Sequence, residues 1–403
     1  MLNQYYWPGV EATAHLLTEL CEGLAADYDV TVVTGRLRGR EQEPSQEERN
    51  GVRVLRMPST VYDRASLSLR AANYLTYLGL AVVRALGLAR PDVVLCMTDP
   101  PVIGDVALLV ARRFRAPLVV VSEDVFPEIA VELQRLRNPV LVGLLGALTR
   151  FYLRRADRVV AIGETMEGRL EQKGAVPSRM SVIPNWTDTH LLTPQPRDNE
   201  WAREHDCVER FVVMHSGNVG YAQDLETLIR ATTYLRDLEE FRAVIVGFGA
   251  RHADHVALAE RLEADLVRFL PYQSREALAQ SLSAADVHFV GLGRGLSGFV
   301  VPSRLYGILA VGRPVLVAAD ADSETARLVR ELGCGLVVSP GRPDLLAGAL
   351  RELVSGVHDL EEMGRIGRSY VEAEADRSVA LARYRGLLAE VRRVPLPAEI
   401  GEA

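Results

Sequence analysis

Residues 291–314 read GLGRGLSGFVVPSRLYGILAVGRP, a glycine-rich loop that leads into an apolar helix. A strand-like run, Val287–Gly291, precedes the loop, and the helix begins at Ser303, a favourable N-cap residue. Arg304 follows in the first turn, where the unpaired N–H groups of the helix point into the loop. A helix N-terminus beside a guanidinium is a typical binding site for phosphate groups, and glycines let a ligand approach the backbone closely. Taken by itself, the stretch fits equally an ordinary strand–loop–helix connection.

Strand-like and helix-like segments alternate along the whole chain, a pattern typical of parallel sheets covered by helices on both faces. The alternation stops at residues 184–199, which contain three prolines and lack periodicity. We therefore predict an α/β protein with two Rossmann-like, doubly wound domains, residues 1–190 and 191–374, and an amphipathic helical tail over 360–392. Such sheets bind ligands at the carboxyl ends of their strands, so the domains are expected to face a central cleft. The charged residues 35–50 predict an exposed loop.

Two predicted helices of the N-terminal half are unusually apolar, Leu67–Leu88 and Pro139–Leu153, and the second carries Arg150, Arg154 and Arg155 at its far end. Neither contains the roughly 18 uninterrupted apolar residues of a membrane-spanning helix. Helices of the hydrophobic core are the simpler interpretation of both. The alternative is a surface that lies against an anionic membrane, because apolar and basic residues together favour that contact.

The charge balance excludes a nucleic-acid-binding protein. The 403 residues include 46 lysines and arginines and 53 aspartates and glutamates, which gives a net charge of −7. Residues 1–190 are neutral overall, and the acidic excess lies in residues 191–403. Neither half therefore has the basic field that nucleic acid requires.

Cysteine usage and the first residues indicate the compartment. The four cysteines are far apart and lie in or beside apolar segments, which predicts buried free thiols in a reducing cytoplasm. Met1 is followed at once by LNQYYWPG rather than by the basic and apolar segments of a signal peptide. We therefore expect a cytoplasmic protein.

Four loops of the C-terminal half follow predicted strands and carry residues suited to a ligand. HSGNVG, residues 215–220, precedes a helix near Asp224 whose N-terminus suits an anion. VGFG, residues 246–249, allows close approach, and FLPYQ, residues 269–273, offers backbone and aromatic contacts to a base. Residues 291–303 form the fourth loop. Each loop singly is also compatible with a turn that binds nothing, but four of them in one domain predict a nucleotide pocket.

Two loops of the N-terminal half also follow predicted strands. PGVE, residues 8–11, follows a strand at Leu2–Tyr6, and SEDVFPE, residues 122–128, follows a later strand. The second loop holds three carboxylates, which are costly to bury unless they meet donors or a substrate. They could orient sugar hydroxyl groups or support a developing positive charge, and a solvated loop with helix-capping acids is the alternative. No metal site is predicted, because His252 and His255 lack neighbouring ligand residues.

Six longer motifs occur along the chain in the order GVEATAHLLTELCEGLAADYDVTVVTG (9–35), EDVFPEIAVEL (123–133), NPVLVGLLGALTRFYLRRADRVVAIGETM (138–166), SVIPNWTD (181–188), HSGNVGYAQDLETLIRA (215–231) and VPSRLYGILAVGRPVLVAAD (301–320). Together they resemble the family-4 glycosyltransferases of the GT-B fold, in the branch that builds exopolysaccharide, O-antigen and colanic-acid-type repeat units. The resemblance implies retaining transfer of a sugar from a nucleotide-diphosphate sugar, a UDP- or GDP-sugar. It implies a glycan or polyprenyl-linked acceptor, a peripheral contact with the inner face of the cell membrane, no bound metal and no tightly bound cofactor.

By position, the resemblance assigns the donor to the C-terminal domain and the acceptor to the N-terminal domain, with a tail helix at about 375–392 crossing back to the latter. Charge builds on the leaving diphosphate in such a transfer, and Arg304 can stabilise it. Glu123 stands where many members have a histidine that contacts the transferred sugar, and Asp124 lies beside it. We predict catalytic roles for Glu123, Asp124 and Arg304. The residues predicted to bind the donor are Gly9, Gly217, Asn218, Gly247, Gly249, Tyr272, Pro302, Ser303 and Leu305.

The chain departs from the family pattern at three places. Phe299 and Gly307 stand where the family has two glutamates, and Asn218 and Gln223 stand where many members have an arginine and a lysine. Gly9-Val10 replaces the two glycines that are usual in the first loop. These departures leave Arg304, helped by Arg294, as the main positive charge for a diphosphate. Two alternatives stay open. A sugar-nucleotide 2-epimerase shares the architecture but needs paired acid and base side chains, of which the sequence offers few. A non-catalytic partner in glycan assembly would account for the missing glutamates.

Overall fold

The computed structural model describes residues 1–9, 11–62 and 67–393 of the chain. The chain forms two compact units. Unit 1 comprises Met1–Pro184 and the chain from Ala380 on, and unit 2 comprises Asn185–Val379. The chain therefore passes from unit 1 to unit 2 after Pro184, a few residues before the predicted domain border at 190. Each unit has a mostly parallel sheet with helices packed on it.

The strands of unit 1 are β1 (Val30–Gly35), β2 (Gln46–Arg49), β3 (Val52–Met57), β4 (Val94–Cys96), β5 (Leu118–Ser122), β6 (Arg158–Ala161) and β7 (Met180–Val182). Its helices are α1 (Ala12–Leu24), α2 (Leu67–Leu86), α3 (Ile103–Phe114), α4 (Glu128–Glu132), α5 (Pro139–Leu153) and α6 (Glu164–Lys173). Strands β4 and β5 are buried along their whole length, as expected where helices cover both faces of a parallel sheet.

The sheet of unit 1 is continuous through the first residues of the chain. Its strands are ordered β2-β3-β1 on one side and β4-β5-β6-β7 on the other, and only β2 and β3 pair in antiparallel fashion among the described strands. Leu2 joins the two sides, because it forms parallel bridges with Val33 of β1 and Cys96 of β4. The predicted strand Leu2–Tyr6 is shortened to this bridge, since the chain then turns and the Gly9 amide donates to the Tyr6 carbonyl at 2.8 Å.

The prediction of an exposed loop over residues 35–50 is wrong at its end, because β2 pairs with β3 as an edge strand. Its charged side chains alternate between exposed and half-buried positions, a composition that protects open sheet edges from other chains. Glu47 accepts a hydrogen bond from the buried Arg56 of β3 at 2.5 Å. The Arg49 guanidinium lies 3.9 Å from the centre of the Trp7 ring. The strand forms because β3 supplies backbone partners, which the local composition does not reveal.

Helix α5 is not the core helix that its apolar sequence predicted. Only Thr149, Tyr152 and Leu153, near its end, are buried, and none of residues 139–148 is. This end packs on α3, where Gly104 leaves room for the Tyr152 ring. Helix α2, the other apolar segment, does pack against the core along one face. In the described ranges, none of the helices combines the length and the apolar character that a membrane crossing requires.

The strands of unit 2 are β8 (Phe211–Ser216), β9 (Phe241–Val246), β10 (Val267–Leu270), β11 (Val287–Gly291), β12 (Val315–Ala318) and β13 (Gly335–Val338). Its helices are α7 (Glu200–Glu204), α8 (Leu225–Thr232), α9 (His252–Arg261), α10 (Leu278–Ser283), α11 (Arg304–Ala310), α12 (Glu324–Leu332), α13 (Pro343–Val354) and α14 (Leu360–Glu374). Apolar side chains of the strands, among them Val213, Phe289 and Leu316, form the main core with α8 and α13.

The sheet of unit 2 is parallel and ordered β10-β9-β8-β11-β12-β13. From β8 the chain builds outward through β9 to β10, and from β11 it builds in the opposite direction through β12 to β13. This reversal between β8 and β11 leaves a crevice beyond the carboxyl ends of the two strands. Doubly wound sheets bind their ligands in that crevice, so the loops after β8 and β11 are the first place to look for a site.

The predicted helical tail, Leu360–Arg392, consists of two helices, α14 and α15 (Arg377–Arg393). Asp376 separates them, because its carboxylate accepts a hydrogen bond from the Ser378 amide at 2.8 Å and thereby caps α15. The later residues of α15 belong to unit 1, where Arg385 pairs with Asp27 at 2.6 Å. The amphipathic pattern continues through the break, and α15 begins close to residue 375, where the sequence analysis places the start of the C-terminal helix.

Candidate active site

The loops after β8, β9 and β10 pack against one another at the carboxyl end of the sheet in unit 2. The Gly217 amide donates to the Val246 carbonyl at 2.9 Å, and the Tyr272 hydroxyl donates to the Phe248 carbonyl at 3.0 Å. Gly247 has a φ of 133°, and a Cβ at this position would overlap the carbonyl oxygen of Gly217. Glycine is therefore required at position 247 for the predicted loops to meet.

Two side-chain amides shape the first of these loops. The Asn218 side chain lies beside Gly249, where a Cβ would come within 2.6 Å of the Asn218 Oδ1 atom. The Gln223 Oε1 atom accepts a hydrogen bond from the Gly220 amide at 3.0 Å. The resembled family has an arginine and a lysine at positions 218 and 223. In this chain the same positions support the loop with neutral groups and add no positive charge to it.

The Arg304 side chain reaches this loop from α11. Its Nε atom would lie 3.8 Å from a Cβ at Gly217, and its Nη1 atom donates a hydrogen bond to Nδ1 of His215 at 2.8 Å. His215, near the end of β8, is fully buried, and its Nε2 atom donates to the Asn218 carbonyl at 3.3 Å. These partners require a neutral imidazole with its proton on Nε2. His215 therefore holds the guanidinium in place as an acceptor, a role that the sequence did not predict.

Burial determines the charges of this pair. Desolvation and the adjacent Arg304 guanidinium hold the pKa of His215 well below its usual value. Desolvation also lowers the pKa of Arg304 to about 10, which leaves the guanidinium protonated at pH 7. Within the residues that the structure describes, the hydrogen bonds of Arg304 go to His215, and no carboxylate pairs with it. A half-buried cation without a counter-ion is costly. The group formed by Arg304, His215 and Gly217, which we call the Arg304 corner of unit 2, therefore favours binding of an anion.

The neighbours of Arg304 in the sequence are placed differently from the prediction. Ser303 is not a side-chain N-cap, because its backbone is already helical and its hydroxyl makes no capping hydrogen bond. The Leu305 side chain is buried in the core, and the Leu305 amide donates to the Pro302 carbonyl at 3.2 Å. The Leu305 side chain is therefore withdrawn from a ligand, whereas donor contacts of the Leu305 backbone, Pro302 and Ser303 stay predictions.

Two further positions of this region have different neighbours. Arg294, the predicted helper of Arg304, is exposed and donates from Nη2 to the Pro340 carbonyl at 3.3 Å. At Gly307, where the resembled family has a glutamate, a Cβ would lie 3.4 Å from the Leu192 side chain and 4.0 Å from that of Leu282. A carboxylate at position 307 would meet apolar groups here, which fits the glycine that this chain has.

The predicted carboxylates Glu123 and Asp124 of unit 1 lie in the loop that follows β5. Glu123 is buried, and its amide donates to the Thr98 hydroxyl oxygen at 3.3 Å. Burial, together with the negative charges of Asp99 and Glu123, raises the pKa of Asp124 to about 8, although the Arg70 guanidinium acts in the opposite direction. Asp124 is therefore mostly protonated at pH 7 and can donate a hydrogen bond. This acid-rich loop has the opposite charge character from the Arg304 corner of unit 2.

Gly9 lies in the first loop of unit 1 and is buried. A Cβ there would come within 2.8 Å of Glu11 Oε2 and 2.9 Å of the Ala14 side chain, so the turn needs glycine. Val10, which follows it in the predicted loop, lies outside the described residues. The contact of Gly9 with a diphosphate stays a prediction.

A metal site is absent from the part of the chain that the structure describes, where no group of three or more histidine, cysteine or acidic side chains could hold an ion. His255 is buried in α9, and the ring of His252 stacks on that of Phe248 with 4.5 Å between centroids. The four cysteines are free and buried, which confirms the prediction of buried thiols.

Comparison with protein families covers both units. Residues 11–186 match the family model of the glycosyl transferase 4-like domain, and residues 198–370 match that of the glycosyl transferases group 1. The first match contains the acid-rich loop of unit 1, and the second contains the loop cluster with Arg304. Each candidate region thus lies in a domain that is described as part of a glycosyltransferase.

Individual relatives agree with these matches. The probable glycosyltransferase WbjE of Pseudomonas aeruginosa is 30% identical over 306 residues, which cover 73% of this chain and 74% of that protein. The putative colanic acid biosynthesis glycosyl transferase WcaI of Escherichia coli (strain K12) is 29% identical over 245 residues, 60% of this chain and 59% of that protein. The solved structure of Anabaena Alr3699/HepE in complex with UDP and glucose has a TM-score of 0.76 at 16% identity and covers 96% of this chain and 98% of that chain. The chain therefore belongs to the group 1 glycosyltransferases with the GT-B fold, in their exopolysaccharide-type branch.

Proposed function

We propose that this glycosyltransferase takes its sugar from a nucleotide-diphosphate sugar with UDP as the carrier, and that unit 2 binds this donor. The observation that carries the proposal is the protonated Arg304 guanidinium, half-buried beside Gly217 and held by the neutral His215. A guanidinium next to the backbone amides of a glycine loop suits a diphosphate. We favour UDP over GDP because HepE, a structure with a similar fold, contains UDP.

The remaining donor contacts follow from the loop cluster. Tyr272 is half exposed, and its ring would lie 3.3 Å from a Cβ at Gly247, so the glycine leaves a flat surface beside an aromatic ring. We propose that Tyr272, Gly247 and Gly249 contact the base and ribose. Gly217 and Asn218 then lie nearer to the phosphates, on the side of Arg304. Aromatic rings and glycine backbone suit a planar base, which needs apolar area more than charge.

In the proposed reaction Arg304 stabilises the leaving group. The bond between the anomeric carbon and the diphosphate oxygen breaks, so negative charge builds on the diphosphate while the sugar becomes oxocarbenium-like. A guanidinium that His215 already holds in place needs little reorganisation to meet this charge. A hydrogen bond to a charged group contributes about 1.5–3 kcal/mol, which corresponds to about one or two decades in rate. Because Arg304 supplies the positive charge, we propose that the transfer is independent of metal ions.

We further propose that unit 1 binds the acceptor, a glycan or polyprenyl-linked sugar, in the cytoplasm at the inner face of the cell membrane. Glu123 and Asp124 are the candidate contacts. The mostly protonated Asp124 can donate a hydrogen bond to a sugar oxygen, and we propose that it acts as this donor rather than as a general base, since its pKa is about 8. The acceptor proton would then pass to the leaving diphosphate. That route requires acceptor and leaving group on one face of the sugar, and it supports retention at the anomeric carbon.

The decisive experiment incubates the chain with UDP- and GDP-sugars, with and without polyprenyl-linked acceptors, and follows the products by mass spectrometry. We expect UDP to be released together with a glycosylated acceptor, equally in EDTA, and an unchanged anomeric configuration in the NMR spectrum of the product. Conversion of the nucleotide sugar without an acceptor would indicate the epimerase instead. Calorimetry with UDP and GDP tests the donor site separately, and no heat with either nucleotide would overturn the donor proposal.

A further inference from the structure

Helix α5 presents an apolar surface that the rest of unit 1 does not cover. Val140 and Leu144 are 79% and 56% exposed, and Leu141 and Phe151 of the same helix are also exposed. Leu109 is exposed on α3, the helix that packs against α5. We call these five residues the α5 surface. Side chains of this size are normally buried, and a group of them on neighbouring helices marks a contact surface.

Arginines accompany the α5 surface. Residues 133–156 contain five arginines and no aspartate or glutamate, although the chain as a whole has a net charge of −7. The exposed Phe151 ring has the Arg155 guanidinium at 3.9 Å from its centre and that of Arg112, from α3, at 5.9 Å. In the described ranges neither arginine pairs with a carboxylate. Their charge therefore remains available to an external anion.

We propose that the α5 surface docks unit 1 on an anionic lipid bilayer. The 15 residues of α5 extend over about 22 Å at about 1.5 Å per residue, which is short of the roughly 30 Å of a hydrocarbon core. The helix therefore lies in the plane of the membrane surface, with its apolar side chains at the acyl boundary and its arginines among the phosphates. Docking of a second copy is disfavoured, because a two-fold contact would bring two arginine clusters together.

The contact with the bilayer adds to the proposed function, and the biological role of the contact rests on that function. Helix α4 and the six residues 133–138 connect α5 to the loop that contains Glu123 and Asp124. A polyprenyl-linked acceptor resides in the bilayer, so the unit proposed to bind the acceptor is also the unit that contacts the membrane. The bilayer contact itself does not require the donor site and is measured without it.

The test is sedimentation of the full chain with vesicles of phosphatidylcholine, either pure or with about a third phosphatidylglycerol. We expect binding to the anionic vesicles, weaker binding to the neutral ones and a decrease with added salt. Leu144→Glu is expected to weaken binding about tenfold or more. The matched control is Val357→Glu, which adds the same charge at a 73% exposed position of unit 2 and is expected to bind like the unaltered chain. A second variant, Arg155→Glu, is expected to lose its preference for anionic vesicles.

Two results would overturn the proposal. One is an unaltered chain that stays in the supernatant with anionic vesicles. The other is a dimer in analytical ultracentrifugation without lipid that Leu144→Glu dissociates, since a second copy would then occupy the surface. Circular dichroism and UDP calorimetry of each variant separate these results from misfolding and from the donor proposal. Vesicle binding without UDP binding supports the membrane contact and contradicts the donor site, and the reverse result contradicts only the membrane contact.

Discussion

The Arg304 corner of unit 2 and the acid-rich loop of unit 1 show how burial acts on opposite charges. Burial lowers the pKa of Arg304 to about 10, and the group remains charged at pH 7 because an arginine starts from a much higher value. Burial and neighbouring carboxylates raise the pKa of Asp124 to about 8, and that group is mostly neutral at pH 7. Arg304 of unit 2 thus keeps its positive charge, which is available to a ligand, whereas Asp124 of unit 1 keeps its proton. The comparison predicts strong effects for variants of the first region and pH-dependent effects for the second.

The largest effect is expected for Arg304→Gln, which removes the charge beside Gly217. We expect kcat/KM to fall at least tenfold, equivalent to about 1.4 kcal/mol or more in the barrier, and UDP affinity to fall as well. Initial rates and calorimetry measure the two quantities. The matched control is Arg294→Gln, whose guanidinium donates to the Pro340 carbonyl instead, and it should retain nearly full activity. Equal losses in both variants would show that Arg304 has no special part in the reaction.

Gly247→Ala is expected to weaken UDP binding about tenfold, because the contact between the loops after β8 and β9 holds Gly217 beside the Arg304 guanidinium. The residue has a φ of 133°, and its Cβ would overlap the Gly217 carbonyl, so the loops must move apart. Gly293→Ala is the control, since its Cβ would have no neighbour closer than 3.4 Å. Calorimetry with UDP at a temperature where both variants are folded distinguishes them. Unchanged affinity in Gly247→Ala would remove the second loop from the donor site.

A smaller loss, about fivefold in kcat/KM, is expected for His215→Phe, which removes the acceptor that positions Arg304. A single hydrogen bond contributes about 1 kcal/mol, which corresponds to about this factor. Because desolvation and the Arg304 charge hold the pKa of His215 well below 6.5, we expect the activity profile of the unaltered chain to show no step near pH 6.5. His215→Gln, which restores an acceptor, should recover part of the activity. If both variants lose activity equally, packing rather than the hydrogen bond explains the histidine.

The sequence predicted the alternating fold, the loop cluster and Arg304, because each of these depends on local periodicity, glycines and the residues that follow a strand. His215 was missed as a functional residue, although it lies in a quoted motif. A histidine in an apolar strand is usually a core residue, and its partner Arg304 is 89 positions away. Such a pair becomes visible only when the reversal between β8 and β11 brings the two strand ends together.

The prediction for α5 was wrong for a different physical reason. Apolar composition indicates that a helix seeks a low-dielectric environment, but it does not identify that environment as the core of the same chain. Helices α11 and α5 are both apolar, yet Leu305, Ile308 and Leu309 of α11 are buried, whereas residues 139–148 of α5 are not. The nearby arginines were the local signal for the second outcome, and only the packing on α3 decides between them.

The smallest effect on activity is expected for Asp124→Asn, whereas the effect of this substitution on stability should depend on pH. The folded chain holds a proton on Asp124 up to about pH 8, whereas the unfolded chain releases it near about pH 3.9. Between these values the folded state binds more protons, so the contribution of Asp124 to stability falls as pH rises. Asparagine cannot ionise, and the variant should therefore gain Tm relative to the unaltered chain as pH increases from about 5 to about 8. Asp92→Asn, at a position whose side chain is 83% exposed, is the matched surface control. Parallel Tm curves for Asp124→Asn and the unaltered chain would show that Asp124 is ionised at pH 7, and its proposed role as a hydrogen-bond donor would then fail.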